Sequence, residues 1–504
     1  MRLTRATLAR VLLAVAIATA TGVQAGYTQQ PCTEFCPPTP PSPPRPSPPQ
    51  LPGDTGSGGS SNSGNKVGVF VVGVVIFAAI GWVINQIIVA NTPPPPGPPE
   101  PPPPLPPGPP NPPPLAQLPA PPAGGPTALR AGCNLPPAGE THFISNELVV
   151  ESNASAQALQ AVAARYNMTR LETVTLRLTG RTLHRWRIDD GTPVRAMIVT
   201  VCNNERPAPI AGLQPNFLFE LVQEQSQPVN ADQYAPQKLN LAAAHRLATG
   251  NRVLIAVIDS AVDASHPDLA GAIAKQFEAS ADDEKPHSHG TGMAGAIAAR
   301  RVMLGTAPRV GLLTVRAFSA RANSAEGTTF NILKGLDWAA EQGARVVNMS
   351  FAGPSDPRLR DALAKANRKG MVLIAAVGNA GPKSPPLYPA ADPNVIAVTA
   401  TDTEDALFSG ANRGNYIAVA APGVDILAPA PDGAYQFTTG TSVAAAEVSG
   451  VAALLIERNP ALTPADVRRI LTSTAKDLGP KGKDRDFGAG LVNALEAVTA
   501  VKPR

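Results

Sequence analysis

The order of apolar and polar positions divides the chain into two parts of different character. Near the N-terminus, two apolar runs at residues 11–23 and 67–90 stand alone between polar or Pro-rich sequence. From residue 143 onward, short apolar runs typical of strands follow one another with segments of helical spacing between them. The change of pattern predicts that the folded part of the chain begins at about residue 127.

Between residues 143 and 222 the pattern predicts six elements. The predicted strands and helices are, in chain order, Phe143–Glu151, Ala154–Tyr166, Leu171–Leu178, Leu183–Ile188, Thr192–Cys202 and Phe217–Val222. The second helix is the less distinct one, because the β-branched residues at 198–201 lower helix propensity. The order βαββαβ is that of a ferredoxin-like unit.

The two isolated apolar runs predict a signal peptide and a membrane helix. Three arginines precede the first run and a small-x-small triplet follows it at residues 23–25, so we interpret residues 1–25 as a secretory signal. The second run, residues 67–90, carries no charge and would span about 36 Å as a helix, which is enough to cross a bilayer. Its orientation stays open, because a cleaved signal and Lys66 favour opposite topologies.

Proline content separates this N-terminal region from the folded part. The chain has 57 prolines, and 32 of them lie in residues 31–52 and 93–126. Proline removes backbone donors and fixes φ, so these stretches cannot form a packed core. We therefore predict a low-complexity segment at residues 26–66 and a stiff linker at residues 91–126, up to about 100 Å long in polyproline II conformation.

Charge and cysteine content exclude several classes of function. The formal net charge is +4, but residues 1–90 contribute +3 of it, so the folded part has no basic stripe and we expect no nucleic-acid partner. The last 300 residues contain no cysteine, which excludes a cysteine nucleophile or a thiolate metal site there. Cys133 and Cys202 could form a disulfide in an oxidising compartment or stay two separate buried thiols.

Three segments of the C-terminal half each present a chemically reactive residue. Asp259 ends a continuous apolar run, as expected at the carboxyl end of a buried parallel strand. His289 opens a segment of small residues, and Ser442 stands at the start of an Ala-rich helix, where backbone N–H groups favour developing negative charge. Taken singly, each residue has a structural alternative as a turn, core or capping residue.

Together with the segment 376–381, these three segments resemble the subtilisin-like serine protease family (subtilases, peptidase S8) over about residues 234–501. The chain order Asp259, His289, Ser442 is also that family's order. The resemblance implies an α/β fold at residues 240–504, with a mostly parallel sheet flanked by helices. It also implies a serine endopeptidase, with these three residues as the catalytic triad and Asn379 as the oxyanion donor. No cofactor is then required for catalysis, while a structural calcium ion is possible but cannot be placed.

The segment 346–353 resembles the family's substrate-binding edge strand, although an ordinary sheet strand is the alternative. The resemblance implies that Ser350, Phe351 and Ala352 pair with an extended peptide. Ala352 replaces a usual glycine beside the first specificity pocket, which predicts a small or medium residue at the cleaved position. Ala261 also replaces a glycine, and it would be strained if that position had a positive φ.

The βαββαβ unit, placed at residues 127–225, resembles the subtilase propeptide by position and pattern. Residues 223–237 are polar and show no element, so we expect self-cleavage there. The expected partners are protein or peptide substrates, the chain's own prodomain and a membrane. We expect a membrane-associated, extracytoplasmic zymogen; the alternative is a catalytically silent subtilase that serves as an envelope scaffold or binding protein.

Overall fold

The structure is a computed structural model and describes residues 129–205, 209–221, 233–281, 285–321 and 324–504. The predicted signal (1–25), low-complexity segment (26–66), membrane helix (67–90) and linker (91–126) lie outside these residues. Among the described helices, none has the length and apolar character needed to span a bilayer.

The first part of the described chain is an antiparallel sheet with two helices. Its elements are β1 (Phe143–Glu151), α1 (Ala156–Arg165), β2 (Met168–Leu176), β3 (Arg181–Ile188), α2 (Val194–Asn204) and β4 (Gly212–Leu221). The order βαββαβ is the predicted one, and the strands lie in the order β2-β3-β1-β4. Leu148, Trp186 and Ile198 are fully buried between the sheet and its helices. Cys133 and Cys202 are joined by a disulfide.

The second part is built on a parallel sheet of seven strands. These are β5 (Leu254–Asp259), β6 (Ile273–Glu278), β7 (Gly311–Arg316), β10 (Val346–Met349), β12 (Val372–Ala376), β13 (Val395–Thr401) and β14 (Ile417–Pro422). They lie in the order β14-β13-β12-β10-β5-β7-β6 with every pairing parallel. The central strands are buried on both faces, which explains their continuous apolar sequence.

Helices cover both faces of this sheet, as predicted. The helices of this part are α3 (Ala235–Lys238), α4 (Leu241–Ala244), α5 (Ser288–Ala298), α6 (Thr329–Glu341), α7 (Pro357–Arg368), α8 (Thr441–Arg458), α9 (Pro464–Ser473) and α10 (Ala494–Thr499). Helices α5 and α8 belong to the core on one face, and α6 and α7 to the core on the other. The small residues of α5 and α8 allow the two helices to pack closely, and the residues at their N-termini lie near the carboxyl ends of the strands.

A second sheet connects the two parts of the chain. Strands β8 (Phe318–Arg321), β9 (Ser324–Thr328) and β11 (Phe351–Ala352) extend the first sheet through β4, in the order β2-β3-β1-β4-β9-β8 with β11 paired to β4. A separate hairpin is formed by β15 (Ile426–Ala430) and β16 (Ala434–Thr438). Strand β4 therefore lies between two strands of the C-terminal part.

Two expectations are corrected here. The segment 346–353 is not one edge strand: Val346–Met349 lies in the centre of the parallel sheet, between β5 and β12, and only Phe351–Ala352 pairs at the cleft. An apolar run does not reveal that its two ends pair in different sheets. The stretch 223–237 is not without structure throughout, because helix α3 begins at Ala235, where Pro236 suits the first helical turn.

Candidate active site

The carboxylate of Asp259 and the imidazole of His289 form a buried hydrogen-bonded pair. Asp259 is the last residue of β5 and His289 lies in the first turn of α5. Their Oδ1 and Nδ1 atoms are 2.7 Å apart and both side chains are inaccessible to solvent. The Nε2 atom of His289 is buried and has no hydrogen-bond partner. One ring nitrogen is thus held by a carboxylate while the other is left to act on a further group.

The residue after the aspartate holds its carboxylate in place. The backbone N–H of Ser260 donates to Oδ1 of Asp259 over 2.7 Å, and the Ser260 hydroxyl donates to the same oxygen over 3.1 Å. That hydroxyl also accepts from the backbone N–H of Gly290 over 3.0 Å. Ala261 does not have a positive φ, so the strain considered for an alanine at that position is absent.

Ser442 is the second residue of α8 and lies beside the turn between β10 and β11. Its hydroxyl donates to the backbone oxygen of Ser350 over 3.2 Å, and the hydroxyl of Ser350 donates to the backbone oxygen of Ser442 over 2.9 Å. No hydrogen bond joins Ser442 to Nε2 of His289 in this arrangement. A serine hydroxyl rotates about one bond, and catalytic hydrogen bonds often form only with substrate bound.

Asn379 is fixed next to Ser442 by the intervening Thr441. The carboxamide oxygen of Asn379 accepts from the backbone N–H of Thr441 over 3.1 Å and from its hydroxyl over 3.0 Å. The amide nitrogen Nδ2 of Asn379 is buried and has no partner. A fixed donor without an acceptor, next to a helix N-terminus, is suited to an oxyanion.

The three predicted substrate-binding residues differ in what they contact. Phe351 and Ala352 form β11 and face Leu221 and Glu220 of β4 in antiparallel register. Ser350 does not belong to that strand, and its side chain instead contacts the backbone of Ser442. The edge predicted to take a peptide is therefore paired with a strand of the chain itself.

Sequence reasoning missed Ser260 and Thr441, whose hydrogen bonds position predicted site residues. Each hydroxyl residue stands next to a predicted catalytic residue, Ser260 after Asp259 and Thr441 before Ser442. That adjacency is a usable signal, because a hydroxyl next to a reactive residue can hydrogen-bond to that residue or to a group that acts with it.

A second buried carboxyl group lies on the helix that carries Ser442. Glu447 is 5% exposed, its carboxyl group accepts from the hydroxyl of Thr306, and burial raises its pKa to about 8. Because the pKa of an unperturbed glutamate is about 4.5, the folded chain binds one more proton than the unfolded chain between about pH 4.5 and pH 8. The free energy of unfolding therefore falls by about 1.4 kcal/mol per pH unit over that window as pH rises.

Replacing Glu447 by glutamine should remove this loss of stability. In a Ser442→Ala background, which prevents self-digestion, we expect the Glu447→Gln chain to gain several kcal/mol over the unchanged chain at pH 8 and little at pH 5. Urea unfolding monitored by circular dichroism at several pH values measures the difference. Equal pH dependence in the two chains would show that Glu447 is ionised in the fold.

No metal centre can be assigned from the described side chains. The described ranges contain no group of three or more His, Cys, Asp or Glu residues arranged to hold a metal ion. A structural calcium ion therefore stays an unplaced expectation.

The C-terminal part of the chain is similar to known subtilases. The Subtilase family model matches residues 250–490. Thermitase of Thermoactinomyces vulgaris is 36% identical over 274 residues, which cover 53% of this chain and 95% of thermitase. Subtilisin E of Bacillus subtilis is 38% identical over 258 residues, which cover 49% of this chain and 66% of that protein. The solved structure of fervidolysin from Fervidobacterium pennivorans, described as a keratinolytic enzyme related to subtilisin, aligns with a TM-score of 0.62 at 25% identity, covering 72% of this chain and 62% of fervidolysin.

Proposed function

The chain belongs to the subtilase family, and on that premise we propose that it is a serine endopeptidase that hydrolyses peptide bonds through Asp259, His289 and Ser442. The observation that carries the proposal is the buried Asp259–His289 pair, whose Nε2 atom has no partner. The pair lies at the start of a helix packed against the helix of Ser442. An arrangement of this kind can remove a proton from a serine hydroxyl.

In the proposed reaction the oxygen of Ser442 attacks the scissile carbonyl while Nε2 of His289 takes its proton. Asp259 holds the imidazole with its proton on Nδ1 and stabilises the imidazolium. Nδ2 of Asn379 and the backbone N–H of Ser442 stabilise the negative charge on the carbonyl oxygen. His289 then protonates the leaving amine, and a water molecule, activated by the same imidazole, releases the acyl group from Ser442.

The oxyanion role predicts a selective effect of replacing Asn379 by alanine. We expect turnover to fall about 10²–10³-fold, a figure that comes from subtilisin itself, with KM nearly unchanged. Steady-state kinetics on a chromogenic peptide measures both constants. Asn367→Ala is a matched control, since that amide lies near the end of α7 and donates to the backbone oxygen of Asn394 over 3.3 Å. A rise in KM with turnover unchanged would mean that Asn379 binds the substrate and the transition state equally, and does not stabilise the transition state selectively.

We further propose that residues 127–225 form a prodomain that blocks the active site. The end of β4 lies between β9 and β11, pairing with Gly327 through Phe219 and with Phe351 through Leu221. A peptide substrate would bind to the same two strands by β-augmentation. Strand β4 therefore stands where a substrate would lie, and the chain leads from Leu221 into the stretch expected to be cleaved.

Polar contacts away from the cleft support this assignment. Asp337 on α6 accepts backbone N–H bonds from Leu178 over 2.6 Å and from Arg177 over 3.1 Å. Asp356, the N-cap of α7, accepts from the side chain of Gln214 over 2.9 Å. These contacts hold the turn after β2 and strand β4 on the two helices that cover one face of the parallel sheet.

The location of the enzyme is also a proposal. We place the protein on a membrane through residues 67–90, with the peptidase outside the cytoplasm. The disulfide between Cys133 and Cys202 supports the second point, because such bonds persist in oxidising compartments. Protease accessibility of intact cells and of lysed cells would test the orientation.

A fluorophosphonate probe tests the peptidase proposal on the full-length chain. After an incubation that permits self-cleavage, we expect one probe molecule per chain, attached to the peptide that contains Ser442, and an intact mass shortened at residues 223–237. A catalytically silent scaffold would show neither. Degradation of added casein separates a general peptidase from one that cleaves only itself.

Phe219 should anchor the prodomain in the cleft. Its ring is fully buried, packs edge-on against Phe351 at 5.9 Å, and lies so close to Gly353 that a Cβ there would be 2.4 Å from it. Replacing Phe219 by alanine empties this pocket, so we expect the cleaved prodomain to bind about 10²-fold or more weakly. The lag before peptidase activity appears after self-cleavage should shorten accordingly.

The matched control for this prediction is Leu171→Ala, which removes an exposed apolar side chain of the same prodomain. We expect its lag to equal that of the unchanged chain. An unchanged lag in Phe219→Ala would mean that the prodomain is held mainly by the hydrogen bonds to Asp337 and Asp356.

A further inference from the structure

Two histidines stand close together at the start of α5, and the proposed mechanism uses only His289. The other, His287, is the N-cap of the helix: its Nδ1 atom accepts a hydrogen bond from the backbone N–H of His289 over 3.2 Å. The backbone N–H of His287 donates to the oxygen of Ala261 over 2.8 Å. His287 is thus attached both to the helix of the catalytic imidazole and to the loop that follows Asp259.

A third contact connects His287 to the carboxylate through one hydroxyl group. Nδ1 of His287 is 3.2 Å from the hydroxyl oxygen of Ser260, which donates to Oδ1 of Asp259 and accepts from the N–H of Gly290. The two segments are also in tight contact, since a Cβ on Gly290 would lie 2.5 Å from the backbone oxygen of Ser260. The cluster therefore has little space in which to adjust to a new hydrogen-bond pattern.

We propose that His287 is a positioning residue for His289 and that it must be neutral for the Asp259–His289 pair to work; this inference rests on the proposed peptidase function. Neutral His287 can accept from the N–H of His289 in the tautomer that carries its proton on Nε2, because Nδ1 then has a free lone pair. Protonated His287 cannot accept.

Protonation changes the cluster in two ways. Nδ1–H would become a donor to the hydroxyl oxygen of Ser260, so the N–H of His289 would lose its acceptor in the first turn of the helix. A positive charge would also stand one hydroxyl away from Asp259, where it opposes the second positive charge that His289 gains in the transition state.

The charged side chains that the structure describes around His287, besides the proposed catalytic pair, are Lys285, Glu278 and Arg316. Among the described residues, Lys285 precedes it on the chain and is exposed. Glu278 and Arg316 line a cavity of about 240 Å³ with Ser260, Ala261 and Pro286, but these two side chains form an ion pair with each other. Asp259 and His289 are thus the groups whose state His287 affects through the described hydrogen bonds.

The dependence of kcat/KM on pH tests the proposal against a purely structural cap. Imidazoles change charge near neutral pH. If both histidines must be neutral, kcat/KM should fall by roughly 100-fold per pH unit on the acid side of its pH profile (the acid limb), instead of 10-fold. Asparagine still caps the helix but does not titrate, so in His287→Asn we expect kcat/KM to fall by about 10-fold per pH unit on the acid side. His287→Ala should lower the alkaline kcat about fivefold with little change in KM, and His287→Asn should restore most of that loss.

His245→Asn is the matched control, because His245 contacts only the backbone oxygen of Thr306 among the bonds described for its side chain and lies outside the site. We expect its acid limb to follow that of the unchanged chain. A limb of 10-fold per unit in the unchanged chain, superimposable on that of His287→Asn, would overturn the proposal.

A second measurement does not require turnover. In the Ser442→Ala chain with ¹⁵N-labelled histidine, the ring signals of His289 should shift in two steps with pH when His287 is present and in one step in His287→Asn. One step in both chains would overturn the proposal even if the enzyme is active. Conversely, two steps in the Ser442→Ala chain, together with no peptidase activity in the unchanged chain, would retain the coupling of the two histidines and reject the proposed function.

Discussion

Replacing Ser442 by alanine should lower peptidase turnover by about 2 × 10⁶-fold, a figure that comes from the corresponding change in subtilisin. In the proposed mechanism the serine oxygen forms the acyl intermediate, and no described hydroxyl takes its place: Thr441 donates to Asn379, and Ser350 donates to the backbone of residue 442. Self-cleavage should also be lost, so the chain should keep its full mass. Kinetics on a chromogenic peptide and intact-mass measurement check the two results.

Ser449→Ala provides the matched control for this prediction. Ser449 lies on the same helix two turns later and is also fully buried. Its hydroxyl is within hydrogen-bond distance of the backbone oxygen of Ala445 (2.9 Å) and of Oδ1 of Asn348 (3.0 Å). We expect turnover within a few-fold of the unchanged chain, with similar melting temperatures for both variants. Retained self-cleavage in Ser442→Ala would assign the nucleophile to another residue and reject the proposed mechanism.

The sequence predicts local features of the fold better than long-range pairing. The strand ending at Asp259 and the helices whose first turns carry His289 and Ser442 can be predicted because apolar runs and small-residue segments are local patterns. The pairing of β4 with β9 and β11 has no such signal, since it joins segments more than 100 residues apart whose register depends on side-chain packing in three dimensions.

The same limit applies to the site. Motifs predict Asp259, His289, Ser442 and Asn379 as site residues. In the structure Asp259 ends a strand of the parallel sheet, and His289 and Ser442 lie in the first turns of α5 and α8. The hydrogen bonds that orient them come from Ser260, Thr441 and His287, whose importance depends on distances that no spacing rule supplies. Residues that position a reactive group are therefore harder to recognise from sequence than the reactive group itself.

Replacing Asp259 by asparagine should lower turnover by about 10⁴-fold, the order of the loss that follows removal of the triad carboxylate in subtilisin. The hydrogen bonds indicate how the activity would be lost. Oδ1 of Asp259 accepts from both Ser260 N–H and His289 Nδ1, while Oδ2 is buried without a partner. An asparagine would place its amide oxygen where Oδ1 of Asp259 lies, because an amide nitrogen there would face the N–H of Ser260.

This orientation keeps the proton of His289 on Nδ1, so the loss should come from the missing negative charge and not from a changed tautomer. ¹⁵N spectra of labelled histidine should show Nε2 of His289 unprotonated in both the unchanged and the Asp259→Asn chain at pH 8. Asp263→Asn, four residues later on the same loop, should retain most activity, since that carboxylate binds Ser265 and the N–H of Asp432. A tenfold loss or less in Asp259→Asn would mean that the imidazolium is stabilised mainly by other groups, whereas a protonated Nε2 would show that the amide has reversed despite Ser260.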